Sequence, residues 1–87
     1  MQQFVEDCLT RTPGNSLQAM VLYGVYRRWC EQNGERYPLS TTKFSMELQD
    51  HYGFRKQKNA RFNEYMDVDF TEVGQQFCLL SPDSPHP

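Results

Sequence analysis

Apolar positions along the chain follow two periods, and the change from one to the other divides it. In the first segment Phe4, Val5, Cys8 and Leu9 stand at i, i+1, i+4 and i+5, one face of a short helix predicted over residues 2–10. A longer stripe follows, in which Ala19, Leu22, Tyr26, Trp29 and Cys30 recur mainly at steps of three and four. Asn15 or Ser16 can cap its start, and Asn33-Gly34 supplies a left-handed stop, so a long helix is predicted over residues 16–33. Thr12-Pro13-Gly14-Asn15 reads as the break between these two helices.

Tyr37-Pro38-Leu39 reads as a short extended link, because proline disfavours helix at the residue before it. Ser40 is then a good cap for a third helix, predicted over residues 40–52. Phe44, Leu48, His51 and Tyr52 gather on its packed side, with His51 read as a structural histidine. Thr42, Met46 and Gln49 fall opposite, flanked by Lys43 and Ser45, an outer face of small, uncharged or basic residues. After Gly53 the period becomes two. Phe54 opens one strand, Lys58-Asn59-Ala60-Arg61 forms a turn, and Phe62, Glu64, Met66, Val68 and Phe70 alternate in a second. The predicted fold class is therefore α+β: three helices followed by a two-stranded β-hairpin over residues 54–70. That is the order of a winged helix-turn-helix domain, in which a recognition helix precedes a wing. One domain is predicted over residues 1–80. The end, SPDSPHP, has three prolines in seven residues and nothing apolar to bury, so residues 81–87 are expected to be a disordered tail.

A chain of 87 residues buries roughly 60–65% of its unfolded surface, enough for one small core. Only 38% of it is hydrophobic, but six phenylalanines, five tyrosines and one tryptophan offset this with large buried areas. The first residues, MQQFVEDCLTR, carry acids and no apolar run, so no secretory signal is read there, and no stretch is long enough to span a membrane. Three cysteines, Cys8, Cys30 and Cys78, are odd in number and widely spaced, which points to a reducing compartment and a cytoplasmic location. They lack paired spacing with the two histidines, so neither a structural metal nor a catalytic Cys–His pair is expected. No phosphate-binding, metalloprotease, hydrolase or dinucleotide motif occurs, and no enzyme activity or cofactor is expected of these residues.

Net charge, −2 overall, changes the picture once it is divided along the chain. From Pro13 to Asn63 eight basic residues face four acidic ones, a local +4, and from Glu64 onward there are five acids and no lysine or arginine. Arg55, Lys56, Lys58 and Arg61 crowd the predicted wing tip, where phosphate contacts would be made. Tyr23, Tyr26 and Trp29 read as core, whereas Tyr37 and Tyr65 are the candidates for stacking on a base.

The stretch Leu22–Leu48 resembles the C-terminal winged-helix domain of phage- and plasmid-type primase–helicases, the group that includes the poxvirus-like helicase–primases. The resemblance rests on Leu22-Tyr23, Tyr26, Trp29-Cys30, Pro38-Leu39-Ser40 and Phe44 with Leu48, followed by Arg55, Lys56, Lys58, Arg61 and Tyr65 on the hairpin. It extends over about Phe4 to Phe70, and departs from the family pattern at Met66-Asp67, where a glycine often precedes the final strand. It implies a module attached to the helicase and primase domains of a longer chain, binding duplex DNA at or near an origin. Thr42, Lys43, Ser45, Met46 and Gln49 would then face the groove, and Arg55, Lys56, Lys58 and Arg61 would contact phosphates. The other expectation is a winged helix that assembles a helicase or recruits a protein partner without binding DNA. Acidic strand residues and an exposed Met46 fit that alternative.

Overall fold

The structure, a computed structural model, describes residues 1–79. The expected tail, residues 81–87, lies outside the described residues. In chain order the elements are α1 (Gln2–Cys8), β1 (Leu9–Gln18), α2 (Ala19–Gln32), α3 (Thr41–Asp50), β2 (Lys56–Lys58), β3 (Asn63–Phe70) and α4 (Glu72–Leu79). The result is a small α+β domain with four helices and a three-stranded antiparallel sheet of order β1-β3-β2. This corrects the expected three helices and two strands. None of the described helices is long and apolar enough to cross a membrane.

The first correction concerns residues 9–18. The helix expected to reach residue 10 ends at Cys8, because Leu9 is already extended at φ −121° and ψ 146°. Leu9 is buried as the face read from the sequence required, but from a strand. Thr12-Pro13-Gly14-Asn15 is not a joint between helices. It is an excursion inside β1, which pairs with β3 on both sides of it, Arg11 opposite Val68 and Ser16 opposite Met66. Proline is tolerated because β1 is an edge strand. On β3 the single residue facing this excursion is Asp67, at φ 58°, and its Oδ1 accepts the Gly14 N–H at 2.9 Å. Asn15 does not cap a helix; its side-chain amide donates to the Val68 carbonyl at 2.8 Å. The bulge also moves the phase of β3. Tyr65, Val68 and Phe70 are buried, a step of three and then two, so the unbroken alternation from Phe62 to Phe70 does not hold.

The long helix begins at Ala19 rather than residue 16 and ends where expected. Gly34 sits at φ 71°, Glu35 N–H bonds the Cys30 carbonyl at 2.8 Å, and Gly34 N–H reaches Glu31 at 3.4 Å, a Schellman stop. Ser40 caps α3 through its hydroxyl, which accepts from Lys43 N–H at 3.3 Å. Burial in α3 falls on Phe44 and Leu48, while His51 is exposed and bonded to Glu47 at 2.8 Å. The packed-side placement of His51 is thereby corrected: its N–H still closes the helical bond to the Glu47 carbonyl at the end of α3, but its ring is turned to the Glu47 carboxylate and solvent rather than to the core. The core is aromatic. Phe4 meets Tyr26 and Trp29 edge-on at centroid distances of 5.2 and 5.7 Å, and Tyr26 lies 4.6 Å from Phe44. Each such pair adds about 0.5–1.5 kcal/mol to the burial itself. Beyond β3, Thr71 caps α4, its hydroxyl accepting from Gly74 N–H at 3.2 Å and donating to the Asp7 carbonyl at 2.5 Å.

Candidate nucleic-acid interface

The position of α3 is set by two tyrosines of α2. Tyr23 donates its hydroxyl to the Leu39 carbonyl at 2.7 Å, and Tyr26 accepts the Leu39 N–H at 2.8 Å. One residue of the link is thus held by both of its backbone groups, immediately before the Ser40 cap. Burial pushes the Tyr26 phenol up to about 12, so it remains a neutral partner at ordinary pH. Neither tyrosine is offered for stacking.

Away from the core α3 presents Thr42, Lys43, Met46 and Gln49, all exposed, as the helical spacing requires. Ser45 is different. It is half-buried, and its Oγ is shared by Lys56 Nζ and Gln49 Nε2, each at 2.9 Å. Ser45 therefore joins α3 to the hairpin. Tyr65, a stacking candidate from the sequence, is buried beneath this junction at 2% exposure, while Tyr37 is 84% exposed. Burial pushes the Tyr65 phenol up. Lys56 also lies over the Tyr65 ring at 5.8 Å.

The hairpin is shorter than its sequence range. β2 is Lys56–Lys58, paired with Asn63–Tyr65 of β3, and Asn59 closes the tip by accepting from the N–H groups of Arg61 and Phe62 at 2.8 and 2.9 Å. Among the described residues, the side chains of Lys43, Lys58 and Arg61 make no hydrogen bond or ion pair with the protein. Arg55 is held by Asp67 at 3.5 Å. The four basic residues of the tip thus divide into two that face solvent, one bonded to Ser45 and one paired with an acid.

A groove of about 440 Å³ runs beside this surface, lined by Met20, Thr42, Ser45, Met46, Lys56 and Asn63 among others. Met20 and Asn63 were not singled out from the sequence. Met20 is missed because it lies off the apolar stripe of α2, and Asn63 because it reads as the end of a turn. Arg11 was missed too. It lies 4.5 Å above the Phe54 ring and donates to the Tyr52 carbonyl, which ties β1 to the chain leaving α3.

No group of three or more His, Cys, Asp or Glu side chains among the described residues could hold a metal ion. Cys8 and Cys30 are buried and free. Burial, with the neighbouring Asp7 carboxylate adding to it, pushes the Cys8 thiol up to about 12, the condition of an inert thiol. What the described residues offer is a solvent-facing helix beside a basic hairpin.

No curated protein and no solved structure matches the chain. The family model described as poxvirus D5 protein-like matches residues 1–75, which takes in every element but the end of α4 and agrees at family level with the resemblance read from Leu22–Leu48. The chain belongs to the poxvirus D5 protein-like family.

Proposed function

We propose that this domain is a winged helix-turn-helix module that binds duplex DNA as the non-catalytic accessory part of a primase–helicase. α3 would enter the major groove and the β2–β3 hairpin would lie along the phosphates. The element order supports the reading: a helix and an edge strand, two further helices, then a hairpin whose second strand pairs with that edge strand. The observation that carries it is the pairing of unengaged hairpin cations with a polar helix face that adds a further free cation, Lys43. Lys58 and Arg61 stand without partners among the described residues, and Lys56 links their hairpin to Ser45 of α3. Helix and hairpin are thereby held in one relative position, as simultaneous contact with groove and phosphates requires.

Salt dependence tests this. Each phosphate neutralised on duplex DNA lowers the slope of log K against log salt by about 0.9. Replacing Lys58 and Arg61 by alanine is expected to flatten the slope by roughly two units and to weaken all sequences alike, since phosphates carry no base information. An unchanged slope in fluorescence anisotropy would remove the hairpin from the interface. The protein-interaction reading is favoured by one observation, the exposed Met20, Val21 and Met46. It predicts no duplex binding at tens of micromolar and low salt.

A further inference from the structure

A helix in the major groove selects sequence by what its outer face offers to base edges. Arginine or lysine suits guanine O6 and N7, glutamine or asparagine suits adenine N6 and N7, and apolar groups suit the thymine methyl. The outer face of α3 carries no arginine, and its one cation, Lys43, is in the first turn. What it does carry is Met46, 54% exposed, with Thr42 before it and Gln49 after it. Met20 of α2, 81% exposed, lines the same groove as Met46. Single exposed apolar side chains need no explanation, but two flexible thioethers along one groove on the proposed reading face form a contact surface. The acids of α3 lie toward its far end: Glu47 is taken by His51 at 2.8 Å, and Asp50 is the last helical residue. Glu47, held by His51, is thus not offered to cytosine N4.

We propose, resting on the reading that α3 enters the major groove, that this face selects A·T pairs. Met46, with Met20 beside it, packs against the thymine 5-methyl group, and Gln49 pairs with adenine N6 and N7. Gln49 Nε2 now donates to Ser45 Oγ and to the Ser45 carbonyl, at 2.9 and 3.2 Å. Turning to adenine exchanges those bonds for two to the base, while Lys56 remains on Ser45 and keeps helix and hairpin together.

The test uses the 87-residue chain and fluorescence anisotropy at one low salt concentration, with four duplexes of equal length and mixed sequence. One is A·T-rich without A-tracts, one is G·C-rich, one repeats the first with deoxyuridine for thymidine, and one carries inosine·cytosine pairs. Inosine·cytosine shows the major groove of G·C but the minor groove of A·T, so it reports which groove is read. The A·T-rich duplex is expected to bind roughly tenfold or more tighter than the G·C-rich one. Deoxyuridine is expected to weaken binding about fourfold for each thymine methyl that the methionines cover, and inosine·cytosine to bind like G·C. Met46→Ala should reduce the difference between thymidine and deoxyuridine, and Met46→Ala with Met20→Ala should abolish it, both with the salt slope unchanged. Equal affinity for A·T and G·C, indifference to deoxyuridine, or inosine·cytosine bound as tightly as A·T would each overturn the A·T selection while DNA binding stands. Absence of binding to every duplex would overturn both.

Discussion

At the scale of single residues, the side chains with most influence on the proposed interface are two that never touch it. Tyr23 and Tyr26 fix Leu39, and Leu39 fixes the start of α3. Tyr26→Phe keeps the aromatic packing with Phe4 and Phe44 but leaves the Leu39 N–H without its partner, a loss of about 1–3 kcal/mol expected in urea unfolding. A second expectation follows from groups held neutral by burial. Cys8 is raised from 9.0 to about 12 and Tyr26 from 10.0 to about 12. A group whose folded pKa is raised favours the fold while both states are protonated, so its contribution is complete below about pH 9 for Cys8 and pH 10 for Tyr26. It is then lost as the pH rises toward 12. The urea midpoint is expected to fall across that window, and less steeply in Cys8→Ala, which is weaker at neutral pH but lacks the thiol. A midpoint independent of pH from 9 to 11 would contradict the burial of these groups.

Among the elements, α2 and α3 were legible in the sequence and β1 and α4 were not, for physical reasons. Leu22, Tyr26, Trp29 and Cys30 repeat often enough to declare a helix, and Asn33-Gly34 and Ser40 mark a stop and a cap with local chemistry. β1 is two stretches of three paired residues around a Pro-Gly excursion, each too short to show alternation, and its partner lies some fifty residues away in β3. Asp67 likewise gives no local sign that it absorbs a bulge. α4 follows a threonine cap and an acidic first turn, a readable start, but Gly74 lowers the helical signal. That glycine is required by contact. A Cβ there would stand 2.5 Å from the Cys8 carbonyl oxygen and 3.0 Å from the Phe70 ring. Gly74→Ala, ordinarily stabilising in a helix, is therefore expected to cost roughly 1–3 kcal/mol through overpacking. A raised melting temperature would show that α4 does not dock as described. For the interface, the outer face of α3 was legible from helical spacing, whereas the roles of Ser45 and Arg55 were not, because Lys56 and Asp67 reach them only in the folded chain.

For the whole molecule, charge sets the strength expected of the proposed DNA binding. The net charge is −2, and the acids Glu64, Asp67 and Asp69 stand on β3, the strand that returns from the basic tip. The isolated chain is expected to bind random duplex weakly, with Kd on the order of 10⁻⁴–10⁻⁶ M at physiological salt. Titration to nanomolar saturation on random DNA would be inconsistent with so few free cations. Several copies carried by one assembly would bind more tightly without any new contact, because the second engagement becomes intramolecular.

The junction of Thr71 with α1 bears on how this chain comes to be folded as it is made. Thr71 gives its N–H to the Cys8 carbonyl at 2.8 Å and its hydroxyl to the Asp7 carbonyl at 2.5 Å, across more than sixty residues. Leu9–Arg11 finds its strand partners only in Val68–Phe70. Within the domain, the residues that emerge first therefore wait for β3 before their backbone is satisfied. Closing such long loops is slow compared with local helix formation. While translation proceeds, α2 and α3 can form and the aromatic cluster can begin to collect, but the sheet that orients the hairpin exists only after β3 has emerged. The surface proposed to meet DNA would then be assembled in a single late event, and nascent chains stalled short of β3 would lack it.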